Sequence, residues 1–160
     1  MMKRFQWLNT FLFCFGYSLL WGATTATATI TYSVESIDTI AISGNPGPLV
    51  VNTATAGSDP STAIDNSTTF AVTTNNDSRN ITCAVSSSMP TGVSLGINMD
   101  APTGATSMGY IDMTTTPVIV VSGISNVAQA SLGISYILEA TVNAAQVSSA
   151  TNIVTFTIGP

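Results

Sequence analysis

The chain has 160 residues with three Lys or Arg, eight Asp or Glu and no histidine, a formal net charge of −5. After Lys3 and Arg4 the only basic side chain is Arg79. Histidine bases, lysine nucleophiles beyond Lys3, phosphate clamps and nucleic-acid surfaces are thereby excluded, since phosphate binding needs clustered Lys and Arg.

Residues 1–28 read as a secretory signal peptide. Lys3 and Arg4 form its positive region, Phe11 to Trp21 its apolar stretch, and Ala26-Thr27-Ala28 its small-residue cleavage site. The apolar stretch is short of the ~18 residues of a spanning helix, and Cys14 lies inside it rather than after it. Seven of the twelve aromatics precede residue 22, so the leader differs in composition from the rest of the chain. Residues 29–160 are expected to form one exported domain, secreted or at the cell surface (periplasmic or extracellular), with no transmembrane span after cleavage.

The expected domain is rich in Thr, Ser, Val, Ile, Ala and Asn, residues that favour a pleated surface. Ile30, Tyr32 and Val34 alternate with Thr and Ser, which predicts a first strand over 29–35. Ile40 and Ile42 follow, then a turn cluster from Ser43 to Pro48. Leu49–Thr55 resumes extended character until Gly57-Ser58-Asp59-Pro60. Phe70 and Val72 mark another strand, and Asn75-Asn76-Asp77-Ser78 a polar turn. Ile81, Cys83 and Val85 alternate on one face, so Cys83 reads as a small core hydrophobe. Val93, Leu95, Ile97 and Met99 alternate up to Asp100. The run Val118-Ile119-Val120-Val121 predicts a strand covered on both faces. Val127–Ala130 reads as a short helical turn. Ile134, Tyr136, Leu138, Ala140 and Val142 alternate again, and Val154, Phe156 and Ile158 end the chain. About eight to nine short strands separated by turns predict an all-β fold, an antiparallel β-sandwich. A membrane barrel would need two aromatic girdles, and five scattered aromatics do not supply them.

No catalytic constellation stands out. Asp59, Asp65, Asp77, Asp100 and Asp112 lie in or beside turns, and the abundant hydroxyls lack a base to activate them. The chain is expected not to be an enzyme and to use no cofactor or metal. The segment Asp59–Asn66 offers oxygen ligands for calcium, but Asp and Asn in turns also bond the local backbone. Three glycosylation sequons begin at Asn66, Asn76 and Asn80.

A leader followed by a Thr/Val/Asn-rich, lysine-poor β-domain, bracketed by Thr29–Glu35 and Val154–Ile158, resembles the exported subunits of bacterial surface filaments. Fimbrial pilins that polymerise by donor-strand exchange and camelysin-type biofilm-fibre proteins are the two groups concerned. The resemblance implies self-association, or binding to another surface protein, through β-strand addition. Many fimbrial subunits carry a disulfide, which Cys83 alone cannot form internally. Ile30, Tyr32 and Val34 are the best candidates for an assembly strand, since alternate side chains of an added strand fill pockets. The alternative is a monomeric secreted binding module, taking a glycan, calcium or a host surface on its loops.

Overall fold

The computed structural model describes residues 24–160; residues 1–23, most of the expected leader with Cys14, lie outside the described residues. Val34–Pro160 forms one compact unit. Among the described residues no helix is long and apolar enough to cross a membrane.

Nine strands and no helix occur among the described residues. They are β1 (Asp38–Ile42), β2 (Ala63–Thr74), β3 (Arg79–Val85), β4 (Val93–Met99), β5 (Thr106–Ser107), β6 (Ile111–Asp112), β7 (Val118–Ile124), β8 (Val127–Ala140) and β9 (Val154–Gly159). Every pairing is antiparallel. A first sheet has the order β1-β2-β8-β4-β6 and a second the order β5-β7-β3-β9. The first is curled into a half-barrel.

Both sheets feed one core. The first contributes Phe70, Val72, Ile97, Met99, Leu132, Ile134 and Tyr136; the second contributes Ile81, Cys83, Val85, Val120, Val121 and Ile124. In β3 the expected alternation holds, with Ile81, Cys83 and Val85 all buried. Burial pushes the Cys83 thiol up to about 11, so it stays protonated and unreactive at neutral pH.

Four register shifts bend the long strands, as an extra residue in one partner increases local twist. In β2 the shift between Asp65 and Thr68 moves the inward set from odd to even positions, which leaves Ile64 exposed and buries Thr68. In β8 the shift lies between Gln129 and Leu132, with Ser131 at φ 59°. The interruption of alternation there is why Val127–Ala130 reads as a helical turn; it is strand. In β7 the pairs Ile81↔Val121 and Thr82↔Ile119 leave Val120 as the extra residue. Val120 and Val121 therefore both face the core while Ile119 faces out, so the apolar run is not covered on both faces throughout.

Two expected strands are absent. Residues 29–35 have no ladder partner among the described residues, because alternation makes a segment able to pair without supplying the partner. Leu49–Thr55 is loop except for the isolated bridge Ala54↔Pro60, although Leu49 packs on the core. In exchange, the two-residue strands β5 and β6, too short for a periodic signal, occupy opposite sheets.

The bulge in β7 gives a direct expectation. Val120→Ala and Val121→Ala, though adjacent, each destabilise the fold by about 2 kcal/mol, the worth of a buried valine side chain. Ile119→Ala costs less than about 1 kcal/mol. Urea unfolding midpoints at constant m-value measure all three.

Candidate functional site

At one end of the core the inward-facing rows turn polar. Arg79, first residue of β3, brings its Nε to 3.0 Å from Asp38 Oδ2, first residue of β1. This ion pair joins the two sheets. Thr74 Oγ1 donates to Asp38 Oδ1 at 2.6 Å, and Asn76 Nδ2 donates to the same oxygen at 3.1 Å. The Thr74 bond, the largest influence, holds the Asp38 carboxyl below its ordinary 3.8; burial opposes it, and Asn76 and the Arg79 charge add lesser lowering effects.

The β2–β3 turn also grips the chain ahead of β1. Ile37 N–H donates to Asn75 Oδ1 at 2.8 Å, and Asn75 N–H donates to the Ile37 carbonyl at 3.2 Å. Asn75 Nδ2 donates to the Glu35 carbonyl at 2.8 Å, and Asn76 Nδ2 donates to Ser36 Oγ at 2.9 Å. The turn is braced in turn by the β7–β8 connection, where Asn126 Nδ2 donates to Asp77 Oδ1 at 2.6 Å. Glu35–Ile37 is therefore a fixed stem.

Upstream of that stem lie the three candidate assembly residues. Ile30, Tyr32 and Val34 are 81%, 87% and 80% exposed. They belong to no strand, and three large apolar side chains this exposed at period two have no folding role among the described residues.

The edge strands supply the complementary feature. Just before β9, Ser86 N–H donates to the Ile153 carbonyl at 2.9 Å, while Val85 N–H turns the other way, to the Thr114 carbonyl. With Val85 opposite Val154, antiparallel alternation makes Thr155, Thr157 and Gly159 the residues bonded to β3. The N–H and C=O groups of Val154, Phe156 and Ile158 point to the free side. Their side chains are half-buried against the core, and no charge occurs in the strand. In β1 the same argument frees Asp38, Ile40 and Ile42, since Ser43 and Ile37 bond to β2. β1 and β9 run close to each other without pairing. The opposite side is bridged by the chain itself, which passes from β5 to β6 through Gly109 at φ 73°. Edge signals of this kind depend on sheet order and are invisible in the sequence.

The other candidates resolve into local structure. Asp59 Oδ1 accepts from Val142 N–H at 3.0 Å. Asp65 accepts from Ser67 Oγ and N–H and from Gly47 N–H, and these bonds, Ser67 first, lower its carboxyl. That is turn chemistry, and no three His, Cys, Asp or Glu converge among the described residues. The Tyr110 ring lies over Gly96, where a Cβ would collide with it, and its hydroxyl donates to Asp112 Oδ1 at 2.8 Å. Burial and this carboxylate push Tyr110 up to about 12. A surface hollow of ≈ 440 Å³ beside it includes Asp59 and Glu139. Of the three sequon asparagines, Asn66 is exposed, whereas the Asn76 amide is consumed in the stem.

No protein-family model matches the chain, and neither does any curated protein.

Asp38 and Asp65 titrate lower in the folded chain than their ordinary 3.8. The stability they confer is complete above that value and is lost as pH falls through their lowered folded values. Asp38→Asn is expected to flatten the acid limb of a stability-versus-pH curve measured by urea unfolding. The Arg79–Asn80 bond, inside the β3 ladder and held by an ion pair only 20% and 23% exposed, should resist trypsin in native protein. Asp38→Asn should speed that cleavage several-fold.

Proposed function

We propose that the chain is an exported structural protein, a β-sandwich subunit of a surface or extracellular filament that assembles by β-strand addition. The observation that carries this reading is the exposed, alternating segment Ile30-Thr31-Tyr32-Ser33-Val34 ahead of a fixed stem. A solvent-exposed row of one tyrosine and two branched aliphatics gains by pairing with a sheet edge, where main-chain bonds give affinity and alternate side chains give specificity. The common core of the two sheets supports the sandwich. The leader-like N-terminus supports export. Absence of histidine, and of any lysine after Lys3, supports a building role rather than catalysis. Lysine is also the usual guard of a sheet edge, and the described residues lack it.

Purified protein should sediment and elute as oligomers that lengthen with concentration and form fibres in negative stain. The triple change Ile30→Asp, Tyr32→Asp, Val34→Asp should leave a monomer whose urea midpoint matches that of wild type at concentrations too low for assembly, because these side chains add nothing to the core. A wild-type chain that stays monomeric at high concentration, or a variant that assembles as well as wild type, overturns the reading.

A further inference from the structure

We infer that the acceptor for residues 29–35 is the free edge of β9 in a second copy of this chain, in antiparallel register with Tyr32 opposite Phe156. The inference rests on the assembly reading above and adds the edge, the direction and the register.

Parity restricts the long edges to β9 and β1, and composition then separates them. An incoming strand must turn its apolar side chains to the core side while aiming the N–H and C=O groups of those same residues at its partner. In β9 the free groups belong to Val154, Phe156 and Ile158, whose side chains already face the core. Residues opposite one another across an antiparallel pair share a face. Ile30, Tyr32 and Val34 therefore match Ile158, Phe156 and Val154 one for one, three alternate positions against three. Thr31 and Ser33 fall opposite Thr157 and Thr155, on the solvent side where both threonines are exposed.

Charge and length exclude the other edges. β5 and β6 are two residues long. The free positions of β1 are Asp38, Ile40 and Ile42, so an incoming Val34 would meet a carboxylate already paired with Arg79 rather than a third apolar side chain. β9 has no charge along its length, and the half-buried Ile40 and Ile42 of the neighbouring β1 offer apolar surface for the added side chains.

Reach makes the occupant a second copy. Asp38 meets the Arg79 side chain at one end of β3, and Val154 lies opposite Val85, six residues along β3. That separation is about 20 Å at strand rise. The four residues from Val34 to Asp38 span at most about 14 Å. With Glu35–Ile37 held to the β2–β3 turn at the Arg79 end, a chain does not place its own Val34 opposite its own Val154, so pairing in this register is between copies.

The register is testable by crosslinking. Thr31 and Thr157 would form a non-hydrogen-bonded pair with Cα atoms about 4.5 Å apart, within disulfide range. Thr31→Cys and Thr157→Cys variants of the full chain, mixed under mild oxidation, should yield a 31–157 disulfide by mass spectrometry in most of the assembled protein and in none of the monomer fraction. Thr31→Cys mixed with Ala41→Cys, on the exposed face of β1, should yield none. Cys83 is buried and does not compete. To guard against a variant that misfolds, Thr155→Lys/Thr157→Lys should reduce assembly at least tenfold while its urea midpoint equals that of wild type measured at concentrations too low for assembly. Fibres that form without the 31–157 bridge, that bridge 31 to 41, or that ignore the lysines overturn the edge assignment while leaving assembly intact. Absence of any assembly by wild type overturns both.

Discussion

Two periodicities of a β-strand are locked together, and the structure follows from that lock. Side chains alternate between faces while main-chain groups alternate between neighbours, both with period two. In β1 and β9 the apolar residues that turn inward to join the core are also those whose N–H and C=O groups aim at the free edge. Ile40, Ile42, Val154, Phe156 and Ile158 are such residues. Strand order and direction thus leave the core-facing residues of both strands with unsatisfied backbone groups, and a row of them is the usual template for another strand.

The bulges are where the lock is reset. Each extra residue in β2, β7 or β8 exchanges the inward and outward sets, so these strands bend without losing the core. Proteins commonly guard an open edge with charge, shortness or cover. Here β5 and β6 are short and joined by the chain, β1 is marked by an ion pair, and β9 has neither charge nor such shortness. The one cation among the described residues, Arg79, is spent on joining the sheets at their polar end. The same end fixes Glu35–Ile37, so the exposed segment ahead of it leaves from a defined place.

Much of the fold is legible from residue types alone. Val93–Met99 and Ile81–Val85 alternate cleanly, and both are strands with the expected buried faces. Gln129–Leu132 is not legible, because a bulge with Ser131 at positive φ breaks the alternation that would reveal a strand. Leu49–Thr55 misleads for the opposite reason: apolar residues can anchor a loop to a core without a ladder, as Leu49 does. Ile30, Tyr32 and Val34 stand out in the sequence as an alternating set, but their exposure does not. The β9 edge is hidden altogether, since strand order is a property of the topology.

Hydrogen exchange of the individual β9 amides measures the central claim most directly. In monomer, Thr155 and Thr157 should be protected by β3 while Phe156 and Ile158 exchange as open amides. On assembly, Phe156 and Ile158 should gain protection of at least a hundredfold, with Ile40 and Ile42 unchanged. Assembled protein in which Phe156 and Ile158 exchange as fast as in monomer would contradict it.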